Sequence, residues 1–299
     1  MKFWLSLVTV REIEQLPTLA KLAEQLGFHG LMIGDHLAMP AKIESRYPYS
    51  PDGKLFVPLD TPWPDPWITF AHLAAHTQKL EFASNIYLAA LRDPFTVAKS
   101  IATASALAGG RMVCGVSAGW LQEEYAIAGI DFASRGRRLD EMLDVLRKLW
   151  TGQVVQHTGE FFRFEGIQAP APARPVRIWC GGDAPPAMRR AARHDGWLPL
   201  PMGVQQAIAA VDKVRAMRVE AGKPASGLEV GLALAEPVTP AAVAELSAHE
   251  LNDLVVIAPW LRSPWDPKAW IDDGDDFGQL DVKRKALERY ARAVLDKIH

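Results

Sequence analysis

The chain has 299 residues, of which 49% are hydrophobic and 23% charged, and its net charge is -2. That balance is ordinary for a soluble globular enzyme, and the near-zero charge argues against a nucleic-acid footprint or an acidic partner. No apolar run approaches the roughly 20 residues that cross a bilayer, and the apolar part of MKFWLSLVTVREIEQLPTLA is broken at Arg11 and Glu12 before it could serve as a signal sequence. The expectation is therefore a single domain over 1–299, cytoplasmic, with no membrane contact. The two cysteines, Cys114 and Cys180, each sit in an apolar segment. They read as buried thiols rather than a disulfide or metal pair.

In chain order, KFWLSLV (2–8) predicts a strand. Ile13, Leu16, Leu19, Ala20, Ala23 and Leu26 follow at helical spacing and stop at Gly27. GLMIGDH (30–36) is a short buried strand with polar residues only at its C-terminal end. The stretch 37–66, rich in Pro, Tyr and Trp, predicts an insertion loop. A helix over 66–76 precedes the strand LEFASNI (80–86), and a helix starting at Pro94 runs to Leu107. RMVCGVSAGW (111–120) is a strand running into small residues, and 135–150 is strongly amphipathic. A small hairpin strand is expected over 160–164. Then come the strand VRIWCGG, a helix over 184–193, the strand DGWLPL, a helix over 205–221 and a strand over 228–235. A helix over 240–249, the strand DLVVIAP and a closing helix over 280–298 complete the pattern.

Eight short apolar strands alternating with helices must be covered on both faces. In about 300 residues this favours a single (β/α)8 TIM barrel with insertion loops at the C-terminal face, with an open doubly wound sheet as the runner-up. A barrel site forms where the strands end. The second strand delivers Asp35 and His36 there, the third Ser84 and Asn85, the fourth Ser117, Ala118, Gly119 and Trp120, and the fifth Gly181, Gly182, Asp183 and Ala184. The sixth brings Trp197 nearby, and the eighth Pro259 and Trp260.

Asp35-His36 has two readings, a general acid/base pair near neutral pH or a polar cap on the strand. Gly181 to Ala184 also has two. Small residues let a ligand approach a helix start whose free N–H groups suit a phosphate. Alternatively, the stretch is a tight turn with Asp183 as helix cap and Pro185 as first helical residue. GVSAG resembles a nucleophile elbow with Ser117 as a hydrolase serine, although LQEEY after it supplies no triad. The remaining histidines form no cluster, and His72 and His76, one turn apart, lack a third ligand, so no metal is expected.

Three stretches carry a family resemblance. GFHGLMIGDHLAMP, then the run from FASNIYLAALRDPFTVAKS through GRMVCGVSAGWLQEEYAIAG to LDVLRKLW, then PVRIWCGGDAPPAMRRAARHDGWLPL together resemble the luciferase-like monooxygenase superfamily. The closest likeness is to its deazaflavin (coenzyme F-420)-dependent oxidoreductases, with FMN-dependent monooxygenases as the alternative. The resemblance implies a cofactor phosphate held at Ser117 to Gly119, with Trp120 beside them, and at Gly181 to Ala184. It implies a cis peptide at Ser84–Asn85 behind the ring system, His36 near the reacting ring face, and Asp35 orienting or contacting the cofactor. It further implies a small organic substrate, a homodimer and, for FMN, a partner reductase. A non-catalytic flavin-storing relative stays open as a third class. One position departs from the family. A glutamate found after the fourth-strand glycine in some deazaflavin dehydrogenases is Trp120 here, which puts a sugar-phosphate substrate in doubt and points to an apolar or aromatic substrate wall. Trp63, Trp67, Trp260, Trp265 and Trp270 lie in loops that could reach the same mouth.

Overall fold

The computed structural model describes residues 1–8, 10–48, 50, 52–55, 57–261 and 270–298. Eight parallel strands close into a barrel: β1 (Lys2–Ser6), β2 (Gly30–Ile33), β3 (Glu81–Ser84), β4 (Met112–Val116), then, after a separate antiparallel hairpin of β5 (Val154–Thr158) and β6 (Arg163–Gln168), β7 (Arg177–Gly181), β8 (Gly196–Leu198), β9 (Glu229–Leu232) and β10 (Asp253–Ile257). The ring runs β1-β10-β9-β8-β7-β4-β3-β2, and β1 closes it by pairing with both β10 and β2. The open sheet is thereby set aside. No helix among the described residues is long and apolar enough to cross a membrane.

Helices form the outer ring: α1 (Leu16–Gln25), α2 (Pro66–Ala74), α3 (Pro94–Leu107), the short α4 (Gln122–Ile127), α5 (Arg135–Leu149), α6 (Pro185–Arg193), α7 (Val204–Glu220), α8 (Pro240–Ala248) and α9 (Leu280–Ala293). Their starts follow their sequences. Asp65 caps α2 by accepting the Trp67 and Ile68 N–H groups, and Asp93 caps α3 through the Thr96 N–H. In each case a proline follows at the first helical position, where its missing N–H costs nothing. α5 buries Leu139, Met142, Leu143 and Leu146, one stripe at helical spacing, against the barrel's outer core. α4 and β5 are elements that the sequence pattern did not announce.

The barrel's interior is a second, smaller core built on Trp4, Met32, Ala83, Val113, Trp179, Leu198 and Val255. Trp4 and Trp179 meet edge to face at 5.2 Å. They are large enough to need bare backbone opposite: a Cβ on Gly30 would stand 2.4 Å from the Trp4 ring, and one on Gly196 2.4 Å from the Trp179 ring. Both indole N–H groups reach carboxylates at the N-terminal end, Trp4 to Asp253 at 2.9 Å and Trp179 to Glu229 at 2.6 Å. Arg177 sits between Glu229 and Glu81 there. The bottom of the barrel is thus plugged, and any ligand must enter from the C-terminal end.

Candidate active site

At that end a cleft opens between the ends of β2, β3 and β4 and the 37–66 loop. Its lining includes Asp35, His36, Asn85, Ser117, Gly119 and Trp120. Tyr47, Leu55, Val57 and Trp63 of the loop close the outer side, and Val8, Gly34, Ile86 and Leu88 complete it.

Asp35 and His36 are adjacent but serve different neighbours. Asp35 is buried and receives both arms of Arg92, Nη1 at 2.8 Å and Nη2 at 2.9 Å, with the Leu88 N–H at 3.0 Å. Burial raises its carboxyl above the ordinary value, while Arg92 and the Leu88 N–H oppose that rise. Arg92 is itself raised by Asp35, against its own desolvation. These directions conflict, since one favours a neutral acid and the other an ion pair. Both Asp35 oxygens accept from one guanidinium, which leaves no acceptor for an acid proton, so the pair is read as ionised.

His36 turns the other way. Its Nδ1 lies 3.0 Å from Oε2 of Glu124, a fully buried carboxylate on α4. The other Glu124 oxygen accepts the Leu37 and Ala38 N–H groups, the latter at 3.3 Å. Glu124 is the site residue that sequence reading missed. It belongs to LQEEY, the segment judged to supply no partner, and its helix is too short to show a period. Its neighbour Glu123 pins the insertion loop, accepting the Glu44 N–H at 2.5 Å, the Ser45 N–H at 2.8 Å and the Ser45 hydroxyl at 2.6 Å. Burial would raise the Glu123 carboxyl, but these bonds together overcome it and hold it down at about 2. The loop so pinned carries Tyr47, which meets Trp120 edge to face at 4.9 Å, and Trp63, which meets His36 at 4.7 Å.

The other expected residues fall at the same end, with three corrections. The cis peptide is Asn85–Ile86, not Ser84–Asn85. The reason is register: Ser84 still pairs with Ile33 of β2, and the Asn85 N–H still bonds the Ile33 carbonyl, so strand geometry persists through that bond. Ser84 is fully buried, is not part of the cleft lining, and exchanges hydrogen bonds with Gly115 at 2.8 and 2.9 Å.

Asp183 is not the cap of α6. The cap position is Ala184, without a side-chain bond, and Asp183 instead accepts the Leu200 N–H at 3.1 Å. Burial raises its carboxyl, with that N–H opposing. The helix start is also poorer in donors than expected. Pro185 and Pro186 have no N–H, and those of Ala187 and Gly182 are spent on the carbonyls of Ala184 and Leu198. Gly182 has φ 108°, and its carbonyl is fixed by the Trp197 indole at 2.9 Å. Gly181 lies against the cleft floor, since a Cβ there would stand 3.3 Å from Ile86 and 3.5 Å from Ser117.

The third correction concerns Ser117. β4 ends at Val116 and α4 begins only at Gln122, so there is no sharp strand-to-helix elbow. Ser117 Oγ accepts the Gly119 N–H at 3.2 Å, and among the described residues no hydrogen bond joins it to His36. A serine hydrolase finds no support in that arrangement. Ala118 presents its carbonyl to the Tyr125 hydroxyl at 2.6 Å. Of the loop tryptophans, Trp63 alone lines the cleft among the described residues. Trp67, Trp260 and Trp270 are buried in the outer core, and Trp265 lies outside the described residues. Cys114 and Cys180 are buried free thiols, the first pushed up to about 12 by burial.

Residues 2–293 match the family described as luciferase-like monooxygenase. An uncharacterised protein of Mycobacterium tuberculosis (strain H37Rv) is 33% identical over 281 residues, covering 94% of each chain. An F420-dependent glucose-6-phosphate dehydrogenase of Nakamurella multipartita is 31% identical over 189 residues, 62% of this chain and 51% of that protein. Among solved structures, the coenzyme F420 dependent tetrahydromethanopterin reductase of Methanopyrus kandleri shares the fold, with a TM-score of 0.72 at 16% identity over 100% of this chain and 99% of that one.

Proposed function

This chain belongs to the luciferase-like monooxygenase family and is an oxidoreductase, and from that premise we propose that it moves a hydride between the deazaflavin coenzyme F-420 and a small organic substrate. The observation that carries the reading is the His36–Glu124 pair at the wall of the cleft. Glu124 accepts from two backbone N–H groups as well as from the ring, so it is read as a carboxylate. That assigns the ring proton to Nδ1 and leaves Nε2 to take or give a proton on the cleft side. A histidine held in one tautomer by a buried carboxylate is suited to general acid/base work.

The residues present fit a flat ring system. Gly34 and Gly119 give the cleft two stretches of bare backbone, and Ile86, Leu88 and Val57 give it apolar walls. Asn85 and Ser117 add neutral polar groups, as a ring edge bearing carbonyls and N–H groups requires. Ser117, Gly119 and the N–H groups of Asp183 and Ala184 are the groups that would hold its phosphate. When bound, the deazaflavin supplies two-electron hydride transfer, because carbon replaces N5 of the flavin ring. His36 would handle the accompanying proton, Asp35 and Arg92 would hold the Leu88 segment under the ring, and the 37–66 loop would exclude water. The F420-dependent relative from Nakamurella supports the deazaflavin over FMN.

The test is a parallel titration of the apoprotein with coenzyme F-420 and with FMN, followed by quenching of tryptophan fluorescence. Saturable binding of coenzyme F-420 in preference to FMN is expected. Preference for FMN would overturn the reading in favour of an oxygen-using monooxygenase served by a reductase. Binding of neither would sink the cofactor assignment.

A further inference from the structure

We propose that Trp63 determines substrate specificity: its indole N–H donates to a carbonyl or hydroxyl oxygen of an uncharged, largely apolar ketone or alcohol. The inference rests on the oxidoreductase reading above and deepens it. Trp63 lines the cleft, yet its Nε1 is shielded from solvent and donates to no acceptor among the described residues. A buried unpaired donor is costly in a native chain and is explained most simply by a partner that arrives with the ligand.

The backbone points the same way. Trp63 has φ 40°, in the left-handed region that a bulky residue rarely adopts, and it stands between Pro62 and Pro64. Such a conformation persists where its surroundings over-determine it, and it clusters at functional sites. Here the surroundings are the ends of β2 and β3. A Cβ on Gly34 would lie 3.1 Å from the Trp63 ring and 3.4 Å from the Asn85 carbonyl oxygen, so the indole rests on bare backbone beside the floor of the cleft. Its ring meets His36 at 4.7 Å. An oxygen bound to the Trp63 N–H therefore lies in the neighbourhood of the group that exchanges the proton.

Charge sets the rest of the class. The described lining of the cleft contains no lysine or arginine, and its two ionic sites, Asp35 and the Glu124 that backs His36, carry carboxylates. Arg92 is committed to Asp35 by both arms. A phosphorylated substrate would meet carboxylates without a free cation. Trp120, Tyr47 and Val57 instead offer apolar surface.

The experiment is calorimetric binding of three probes, cyclohexanone, methylenecyclohexane and cyclohexyl phosphate, to the wild type and to Trp63→Phe, each with and without coenzyme F-420. The wild type should prefer the ketone to the hydrocarbon of the same shape and reject the phosphate. Trp63→Phe should weaken ketone binding about fivefold, the effect of one neutral hydrogen bond of about 1 kcal/mol, and leave the hydrocarbon and the coenzyme as they were. A ketone-to-hydrocarbon ratio unchanged in Trp63→Phe overturns the proposal. So does a loss of coenzyme affinity instead, which would give the N–H to the coenzyme, and so does tight binding of the phosphate to the coenzyme-loaded protein, in which the coenzyme's own phosphate site is filled. Failure of the coenzyme to bind overturns the cofactor reading alone, because the ketone preference is also measured without it. A second readout needs no variant: the resonance Raman band of the indole N–H should shift with the ketone and stay in place with the hydrocarbon.

Discussion

His36 Nδ1 stands 3.0 Å from Glu124 Oε2, a contact that joins the end of β2 to α4 across 88 positions of the chain. Its chemical content can be separated from its structural content. In Glu124→Gln the side-chain oxygen can still accept the loop N–H groups, but it no longer offers a charge to an imidazolium. The kcat of that variant should fall about 100-fold or more, the usual worth of a positioned acid/base. His36→Ala should lose as much, and the double variant little more, because the two act as one unit. Steady-state kinetics on the four proteins decides it, and additive losses would refute the unit.

Asp35 and Arg92 lead to a stability prediction. Their side chains are only 2% and 14% exposed, so removing one partner strands a charge. Asp35→Asn should cost about 3–5 kcal/mol, read as a lower urea midpoint. Adding Arg92→Met should recover part of that loss, because the stranded charge is removed as well. If Asp35→Asn alone unfolds like the wild type, the ion pair is not holding the Leu88 segment.

The Glu123 bonds predict a local effect. Glu123→Ala removes the acceptor for the Glu44 and Ser45 N–H groups and the Ser45 hydroxyl. Limited proteolysis should then cut within 39–48 several times faster while the global melting temperature hardly moves. KM should rise more than kcat falls, since the loop wall is loosened and His36 is not. Unchanged cleavage would show that the loop is held by other contacts.

Acid should destabilise the fold in two limbs. Burial, with Arg147 nearby, holds His194 down from 6.5 to about 4. The unfolded chain therefore takes up this proton first, and stability present above 6.5 is lost as pH falls toward 4. Burial would raise Glu81, but the His29 and Arg177 contacts overcome it and hold it at about 2, against an ordinary 4.5. Its contribution is present above 4.5 and lost as pH falls toward 2. His194→Gln should flatten the upper limb and Glu81→Gln the lower, in urea titrations at stepped pH. An upper limb equally steep in His194→Gln would remove that histidine from the account.

The barrel was legible because its cause is repeated eight times along the chain: an apolar strand, a short connection, a helix with one apolar stripe. Asp35, His36, Ser117 and Trp120 were placed at one end by strand polarity alone, which the period of the pattern fixes. What stayed hidden depends on geometry without a local signature. Glu124 meets His36 only through the folded barrel, and a six-residue helix offers no period to read. The cis bond lay one peptide beyond expectation because a strand's last residue is set by its neighbour's register, which the sequence of one strand does not contain. Asp183 looked like a helix cap by spacing, and the Leu200 N–H that it accepts belongs to the next unit of the barrel. TPWPD read as loop by composition, and nothing in composition says that its indole would line the cleft with an N–H that finds no acceptor among the described residues.

Asp35 and His36 share a peptide bond and face opposite sides, the first gripping the connection after β3 and the second the helix after β4. The end of β2 therefore works as a rivet through two neighbouring units of the ring. Such a joint has no slack: one residue deleted ahead of Asp35 would present the imidazole to the guanidinium, and one inserted there would present the Asp35 carboxylate to that of Glu124. Chain length at this place is consequently fixed by charge, whereas the long loop a few residues later is free to vary in length wherever its fastenings are kept.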